Sequence, residues 1–325
     1  MNFRGPLRRF GLALSASLFC AGIASAQDWP AKPIRLVVNF APGGAADVIA
    51  RAIAPQLAQA LKQPIVVDNK PGAGGNIGGA EVAKSPNDGY TLLLSSGGAI
   101  TINPLIYTKM SFDPEKDLTP VASVARVLVY LETNPRVPAG NVQEFIAYLK
   151  ANPGKLSFGS PGHGSSPHLA GELFKRMAKV DATHVPYKGA GPALTDLLGG
   201  QLDFWFDPGP GLKHVKEGRL KLLAVGSAKR SRQLPNVPTL SESGLPGFDA
   251  DTLFGVYAPA GTPAEIVGRV HDEINKALQQ GTVVAAIEGL GAEPAAMRRE
   301  EFIAQHDKER ERFGALVKAI GLKLE

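Results

Sequence analysis

Short apolar runs rich in β-branched residues alternate along the chain with longer runs in which apolar residues recur at helical spacing. The segment 34–38 is typical of a buried strand, and Ile49, Ile53 and Leu57 then mark one face of a helix. The same order of strand, loop and helix returns from residue 65 and again from residue 91. This alternation predicts an α/β fold with mostly parallel sheets and helices on both faces. Pro55 lies inside the first helical run and should kink or divide that helix.

A second series of strand and helix patterns begins near Val121. Its expected elements are strands at 127–131, 156–158, 182–185, 202–206 and 220–225 and helices at 142–150, 168–177 and 190–198. From Leu253 the chain adds a strand at 254–258 and helices at 264–279, 283–290 and 300–320, with few loops that could hold a ligand. We therefore expect two lobes: residues 27–125 and 253–325 form the first, and residues 126–252 form the second.

The first 26 residues are typical of an export signal. Three arginines precede an apolar core at 10–23, and Ala24-Ser25-Ala26 fits a cleavage site, so we expect removal of residues 1–26 and a periplasmic location. An uncleaved anchor helix is the alternative; a lipid anchor on Cys20 would need a small residue where Phe19 stands. Cys20 is the only cysteine, so the mature chain can form no disulfide.

Charge and composition exclude some classes of partner. The formal charge of +5 falls to about +2 once the three arginines of the signal are removed. The sequence contains no cluster of Lys and Arg that could follow a phosphate backbone, so we expect no nucleic-acid partner. A mature chain of about 300 residues with 44% apolar content is sufficient for two ordinary domains.

Three predicted strand-to-helix loops are rich in Gly, Ser and Ala, at 41–47, 72–78 and 159–166. Each loop would present free backbone N–H groups and the positive end of a helix dipole at the carboxyl edge of a sheet, where open α/β folds bind ligands. No Lys or Arg occurs in the three loops, so backbone amides and hydroxyls would hold an anion there. The alternative is that each loop is a tight structural turn.

The spacing of residues argues against nucleotide-binding, hydrolase and metal sites. The second loop is not G-x-G-x-x-G, no P-loop is present, and residues 162–166 do not form a G-x-S-x-G nucleophile elbow. His163 and His168 are five residues apart, and the nearby sequence has no acidic residue to complete a metal site. We therefore expect neither a cofactor nor a metal. His168 is either a local packing residue at a helix start or a ligand contact.

Two carboxylates have two interpretations each. Asp47, at the head of a predicted helix, caps amide groups or contacts the ligand. Asp207 follows an aromatic strand, so it either faces the cleft and selects against a second ligand carboxylate or initiates the turn at Pro208.

Several segments together resemble the Bug family, the periplasmic receptors of tripartite tricarboxylate transporters. The resemblance extends in order over the whole mature chain. It rests on Trp29-Pro30-Ala31-Lys32-Pro33-Ile34-Arg35, Pro42-Gly43-Gly44, residues 69–78, Pro86-Asn87-Asp88-Gly89-Tyr90, His184-Val185-Pro186-Tyr187-Lys188-Gly189 and Ala258-Pro259-Ala260-Gly261-Thr262-Pro263.

The resemblance implies a two-lobed periplasmic binding fold of type II, with a ligand carboxylate held between the first and third loops, partly through ordered waters. The expected anchor comprises Ala41, Gly43, Gly44, Ala45, Asp47, Ser160, Gly162, His163, Gly164, Ser165 and His168, with Gly74, Gly75, Asn76 and Tyr187 beside it. The distal end of the ligand would meet Ser96, Gly97, Phe206 and Asp207. Members of the family bind dicarboxylates, tricarboxylates, acidic amino acids and some aromatic acids.

The resemblance also implies a solute receptor that delivers an organic anion to the membrane subunits of a permease, and no enzyme activity. We expect a monomer, which is the default for a receptor that diffuses. A periplasmic sensor and a hydrolase using Ser165 or Ser166 with a histidine are the alternatives. The sequence departs from the family pattern at Asn39, at Ala46 and at residues 208–211. Because Ala46 stands where a hydroxyl is common, the ligand is expected to be less polar or larger.

Overall fold

The computed structural model describes residues 29–324, which form two β-sheets with helices packed around them. The six-stranded sheet of the first lobe contains β1 (Ile34–Val38), β2 (Ile65–Asn69), β3 (Thr91–Ser96), β4 (Leu118–Val127), β10 (Thr252–Pro259) and β11 (Glu293–Pro294). The five-stranded sheet of the second lobe contains β5 (Tyr130–Thr133), β6 (Ser157–Ser160), β7 (Thr183–Pro186), β8 (Phe204–Asp207) and β9 (Lys221–Val225).

The helices occupy most of the positions that the sequence predicts. They are α1 (Ala45–Leu61), α2 (Asn76–Ala83), α3 (Asn103–Ile106), α4 (Pro114–Asp117), α5 (Val142–Ala151), α6 (Ser166–Ala178), α7 (Ala190–Leu198), α8 (Leu212–Lys216), α9 (Ala264–Ala277), α10 (Gly281–Gly289) and α11 (Arg299–Ile320). A 3₁₀ turn at Ala73–Gly75 precedes α2, and a π-helical segment at Gly98–Ile102 follows β3.

The predicted α/β fold with two lobes and helices on both faces of the sheets is confirmed, and in detail both sheets are mixed rather than mostly parallel. In the first sheet β1 pairs in parallel with β2 and β3, but β10 runs antiparallel to β3 and β4. In the second sheet β6 is parallel to β7 and β8, but β5 is antiparallel to β8 and β9. The alternation of strands and helices identifies the parallel units. It does not specify the direction of β5 and β10, which the chain enters after it crosses from one lobe to the other.

Two adjacent chain segments connect the lobes. Residues 128–129 join β4 to β5, and residues 226–251 lead from β9 back to β10. The Gly226 N–H donates to the Val129 carbonyl at 2.7 Å, and the Gly226 carbonyl accepts the Ala250 N–H at 2.9 Å, so the two crossings are hydrogen-bonded together. The predicted lobe boundaries lie within β4 and β10, close to these crossings, and stay a prediction.

Each sheet carries its own hydrophobic core. Aliphatic side chains dominate the first core, whereas aromatic rings such as Phe145, Phe174 and Phe204 pack at centroid distances of 5.0–6.5 Å in the second. Helix α1 runs unbroken through Pro55, contrary to the predicted division. Pro55 is exposed, so water can reach the Arg51 carbonyl that the proline cannot bond.

No helix among residues 29–324 combines the length and the hydrophobicity needed to cross a bilayer. The predicted signal peptide at residues 1–26, with its cleavage site and Cys20, lies outside the described residues.

Candidate functional site

A small cavity lies between the two lobes at the ends of several strands. Its volume is about 30 Å³, enough for one or two water molecules. Strand β3 and helix α1 contribute from the first lobe, and helices α6 and α7 contribute from the second. The lining residues are Phe40, Gly44, Ala45, Ala46, Ser96, Pro161, Ser165, Ser166, Pro167, Ala190, Pro208 and Phe254.

Three helices begin at this cavity. Ala45 and Ala46 open α1, Ser166 opens α6 and Ala190 opens α7, so the N–H groups of these four residues have no acceptor within their helices. No side chain caps α1 or α7, whose N-cap residues are Gly44 and Gly189. The helices have 17, 13 and 9 residues, and each places the positive end of its dipole at the same point.

Glycine allows two of these helix starts to meet across the cleft. A Cβ atom at Gly44 would lie 3.4 Å from the Cβ of Ala190, so the first turns of α1 and α7 are already in van der Waals range. The Ala41 N–H donates to the Lys188 carbonyl at 3.2 Å, which ties the loop before α1 to the loop before α7. The cavity is therefore closed by direct contacts between lobes.

Ser96, at the end of β3, is the one lining side chain whose polar atom is both buried and without a hydrogen-bond partner within the described part of the chain. The residue is 4% exposed. A buried hydroxyl without a partner costs roughly 1–3 kcal/mol, so such groups usually have a ligand or water to bond. Because Ser96 lines the cavity, we expect its hydroxyl to donate a hydrogen bond to the bound molecule or to accept one from it.

The first loop is held by Asp47, as the capping interpretation predicts. Asp47 accepts the Gly43 N–H at 3.0 Å and the Arg51 Nε–H at 2.9 Å, and it is 5% exposed. The hydrogen bonds from Arg51 and Gly43 outweigh the upward effect of burial, and the pKa of Asp47 lies below its usual value. Gly43 and Asp47 therefore shape the loop, and neither lines the cavity.

The second loop contacts the opposite lobe and does not line the cavity. A side chain at Gly74, which has φ +61°, would overlap the carbonyl oxygen of His163. Asn39 Nδ2 donates to the Gly75 carbonyl at 3.1 Å, and Asn103 Nδ2 donates to Asn76 Oδ1 at 2.7 Å. The departure from the family pattern at Asn39 thus has a structural role, since this amide fixes the loop that meets the second lobe.

The third loop is braced by its own serines. Ser165 is the N-cap of α6, where its Oγ accepts the His168 N–H at 3.4 Å and donates to the Gly162 carbonyl at 2.7 Å. Ser160 Oγ also donates to the Gly162 carbonyl, at 3.1 Å. Of the third-loop residues in the expected anchor, only Ser165 lines the cavity, because Ser160, Gly162, His163 and Gly164 lie behind it.

Three histidines meet behind the third loop, and spacing alone did not reveal this because His184 comes from β7. Ring nitrogens of His163, His168 and His184 lie within 4.8 Å of one another, and the last two rings stack at 4.0 Å. His168 Nδ1 accepts the Gly164 N–H at 3.2 Å, and His184 Nε2 lies 2.7 Å from Ser160 Oγ. Two of the three rings, those of His168 and His184, are therefore hydrogen-bonded to the third loop.

Burial keeps this cluster neutral. Burial lowers the pKa of His168 to about 3 and that of His184 to about 2, and each ring further disfavours a charge on its neighbours. The pKa of His163 is lowered by burial as well. Neutral imidazoles could in principle bind a divalent metal, but the loop contacts of His168 and His184 make bracing of the third loop the simpler role.

The residues expected at the distal end of the ligand divide into two groups. Ser96 lines the cavity, but Phe206 lies in the core of the second lobe, where it stacks on Phe248 at 6.0 Å. Gly97 packs against Glu309 and strand β10, and Tyr187 donates its hydroxyl hydrogen to Asp196 at 2.6 Å. Phe206, Gly97 and Tyr187 therefore do not line the cavity, and their contact with the ligand stays a prediction.

Asp207 is fully buried beside Glu132 and does not line the cavity. Its Oδ2 accepts the Gly211 N–H at 2.8 Å, and Glu132 Oε2 accepts the Trp205 Nε1–H at 2.8 Å. Burial raises the pKa of Asp207 to about 7, and burial together with the charge of Asp207 raises the pKa of Glu132. The carboxyl of Asp207 holds the 208–211 turn, which brings Pro208 to the cavity.

Eight lining residues were not among the expected site residues: Phe40, Ala46, Pro161, Ser166, Pro167, Ala190, Pro208 and Phe254. Ala190 could have been found, because Gly189 precedes a predicted helix in the same way as Gly44 does. The prolines and phenylalanines carry no polar group that would suggest a ligand site, so the sequence offers little signal for them.

A larger groove of about 540 Å³ lies by the crossing segments. Four basic residues line it, namely Arg126, Lys229, Arg230 and Arg232. Arg126 pairs with Asp251 at 3.1 Å and Arg230 with Glu242 at 2.9 Å, so part of this positive charge is already balanced. Ser227 also lines this groove, with a buried hydroxyl that has no partner among the described residues.

Comparisons with known proteins agree with this architecture. The model of the tripartite tricarboxylate transporter family receptors matches residues 49–322. Protein BugT of Bordetella pertussis is 39% identical, with the alignment covering 100% of both chains. The structure of R. palustris Rpa4515 with adipate is 36% identical with a TM-score of 0.88, covering 91% of this chain and 99% of that one.

The structure of MatC from Rhodopseudomonas palustris with bound malate is 33% identical with a TM-score of 0.85. It covers 89% of this chain and 100% of that one. The family match and the identity over the full length show that this chain belongs to the receptors of the tripartite tricarboxylate transporter family, periplasmic solute-binding proteins of the Bug type.

Proposed function

We propose that this protein binds a small organic carboxylate in the interlobe cavity and delivers it to the membrane subunits of a tripartite permease. The observation that carries the proposal is the convergence of four helix N-terminal amides, from Ala45, Ala46, Ser166 and Ala190, on one cavity. Helix N-termini bind anions because their N–H groups have no acceptor and their dipoles favour negative charge.

The cavity requires no cationic side chain to hold an anion. Hydrogen bonds from amides to a carboxylate contribute roughly 1.5–3 kcal/mol each, and a site shielded from water strengthens them. Because α1 belongs to the first lobe and α6 and α7 to the second, the anion would bond to both lobes at once. Binding would then favour the closed arrangement. The bound adipate and malate of the related structures support a carboxylate as the ligand class.

A binding role also accounts for the polar groups better than catalysis does. A hydrolase would need a serine hydroxyl in contact with a histidine base. Ser165 Oγ contacts the backbone N–H of His168 and the Gly162 carbonyl, while the His168 ring accepts the Gly164 N–H. Both groups serve to hold the loop. Ser160 Oγ does lie 2.7 Å from His184 Nε2, but Ser160 is fully buried and does not line the cavity, so a substrate in the cavity does not meet this pair. We therefore propose no catalytic activity for this chain.

The test is calorimetric titration of the mature protein, unfolded and refolded to remove carried ligand, with mono-, di- and tricarboxylates and with the matching neutral amides. We expect at least one acid to bind and its amide to bind at least tenfold more weakly. If no acid binds, or if the amides bind as well as the acids, the proposal is wrong.

A pair of variants locates the site. Ser96→Ala removes the unpartnered hydroxyl at the cavity, and Ser227→Ala removes a similarly buried, unpartnered hydroxyl in the basic groove. We expect Ser96→Ala to weaken binding by about 1 kcal/mol, roughly fivefold, with no change in Ser227→Ala. If Ser227→Ala weakens binding and Ser96→Ala does not, the ligand binds in the larger groove that Arg126, Lys229, Arg230 and Arg232 line.

A further inference from the structure

A small apolar cluster joins the two lobes beside the start of α6. Its buried members are Ile102, Ile106, Leu169, Phe313 and Val317, each at most 5% exposed. Leu169 comes from α6 of the second lobe, whereas the other four lie in the first lobe, on the π-helical segment, α3 and α11. The side chain of Leu169 is fully buried, so the opposite lobe contributes to its burial.

Helix α11 is fixed on the first lobe and reaches α6 with its last part, residues 313–320. Phe302, near the start of the helix, is fully buried against β10. Glu309 Oε1 accepts the Leu253 N–H at 2.7 Å, and Arg312 Nη1 donates to Asp251 Oδ1 at 3.1 Å, at the end of the second crossing segment. The first lobe therefore presents a firmly held surface to Leu169.

A hydrogen bond at the far end of α6 adds to this contact. Arg176, in the last turn of α6, donates from Nη1 to the Ala319 carbonyl at 2.7 Å. Ala319 lies in the last turn of α11, where carbonyls have no donor within the helix and the dipole favours a cation. The bond is exposed to solvent, so we expect it to contribute less than the apolar contact does.

The same contact lies close to an amide that we propose as a ligand donor. Leu169 follows Ser166 on α6 by about one turn, so the two residues move together. A Cβ atom at Gly98 would lie 2.9 Å from the Gly164 carbonyl oxygen and 3.3 Å from the Ser166 nitrogen, so the π-helical segment of the first lobe meets the start of α6 directly. Packing of Leu169 on the first lobe thus holds the Ser166 amide opposite the start of α1.

We infer that Leu169 is a positioning residue for ligand binding. In the closed form it packs against the π-helical segment, α3 and α11 of the first lobe and holds the start of α6 at the cavity. When the lobes separate, water reaches this apolar surface, so the contact stabilises the closed form relative to the open one. The apparent affinity for a ligand of the closed form rises with the fraction of molecules in that form. The inference rests on the proposed function and adds to it a residue outside the cavity lining.

The test compares two fully buried leucines of the second lobe. Leu169→Ala removes the contact between lobes, whereas Leu149→Ala removes a side chain of α5 from the core of the second lobe. The probes are malate, adipate, citrate and benzoate, titrated calorimetrically into the refolded mature protein. We expect Leu169→Ala to bind the tightest of these acids about tenfold more weakly or worse, and Leu149→Ala to bind it within about twofold of the wild-type affinity. Thermal melting should show that both variants are destabilised.

A conservative variant separates positioning from general stability. Leu169→Met keeps an apolar side chain of similar volume, so we expect it to restore the affinity to within about threefold of that of the wild-type protein. Equal losses of affinity in Leu169→Ala and Leu149→Ala, or no loss in Leu169→Ala, would overturn the inference and leave the proposed function standing. If none of the four acids binds to the wild-type protein, both fail.

A milder pair of variants tests the contact between α6 and α11 if Leu169→Ala does not fold. Arg176→Ala removes the hydrogen bond to the Ala319 carbonyl, and Lys150→Ala removes a basic side chain in the last turn of α5. We expect about threefold weaker binding of the same acid to Arg176→Ala and unchanged binding to Lys150→Ala. Equal affinities in these two variants would contradict a role of the contact in closure.

Discussion

At the scale of single residues, glycines set how closely the lobes approach. Gly74 has φ +61°, a conformation that costs an L-residue about 1–2 kcal/mol, and a methyl group there would overlap the His163 carbonyl of the other lobe. The strain is local, but the overlap occurs only when the lobes are closed. Gly74 is therefore expected to matter more for binding than for folding.

We expect Gly74→Ala to weaken binding of the tightest acid by at least tenfold, because closure must push the second loop away from His163. Gly268→Ala is the control, since a Cβ there has no neighbour within 4 Å on the exposed face of α9. Titration calorimetry measures the affinity and thermal melting measures the stability. Equal affinities in the two variants would show that closure does not depend on this contact.

The residues also show what the sequence could and could not predict. The Gly-rich loops and the capping role of Asp47 are local in sequence, so they could be read from residues a few positions apart. Asp207 is buried beside Glu132, which is 75 residues away in the sequence, and His184 on β7 meets His168 on α6, which is 16 residues away. No local pattern encodes such pairings, and none indicated that Phe206 packs in the core of the second lobe.

At the scale of elements, the histidine cluster links the stability of the second lobe to pH. His168 on α6 and His184 on β7 stay neutral in the folded state, with pKa values lowered by burial to about 3 and about 2, but they take up protons near pH 6.5 when unfolded. Between these folded-state pKa values and pH 6.5, the unfolded state therefore binds more protons than the folded state does. The contribution of these two imidazoles to the free energy of unfolding therefore falls as the pH decreases below 6.5. Asp207 and Glu309, whose pKa values burial raises to about 7, contribute in the opposite direction.

We expect the melting temperature of the wild-type protein to decrease between pH 7 and pH 5 relative to that of a variant without His184, because this imidazole contributes up to about 1.4 kcal/mol per pH unit. His306, whose pKa burial lowers to about 4, adds to the same trend. In the His184→Asn variant the melting temperature at pH 5 should therefore be higher, relative to that at pH 7, than in the wild-type protein. Parallel profiles for wild type and His184→Asn would exclude this role of the cluster.

The elements themselves were largely predictable. The observed bounds of β1 and α7 coincide with the expected ones, because short β-branched runs and amphipathic runs carry their own period. The direction of β10 was not predictable, since it depends on the path between lobes. Helix α1 tolerates Pro55 because Pro55 lies on its exposed face, where water can bond to the Arg51 carbonyl. The spacing of residues in the sequence does not show which face of the helix is exposed at this position.

At the scale of the whole molecule, the cavity of about 30 Å³ is too small for an organic acid, so the lobes must separate further for the ligand to enter and to fit. We expect such a motion to turn about the two crossing segments, which are bonded through Gly226. Contacts across the cleft, such as that of Ala41 with Lys188, would break on opening.

We therefore expect the radius of gyration, measured by small-angle X-ray scattering, to decrease when the tightest acid is added to the refolded protein. The decrease should be reduced in Gly74→Ala at saturating ligand and retained in Gly268→Ala. An unchanged radius in the wild-type protein, with binding confirmed by calorimetry, would mean that the ligand enters without movement of the lobes.

The central claim is that helix N-termini from both lobes hold the ligand's carboxylate, and a crystal structure of the mature protein with its tightest acid tests it most directly. The account predicts carboxylate oxygens within hydrogen-bond distance of the amides of Ala45 or Ala46 and of Ser166 or Ala190, with Ser96 Oγ bonded to the ligand or to a bridging water. A carboxylate bound instead by Arg126, Lys229 or Arg232 in the basic groove would contradict it.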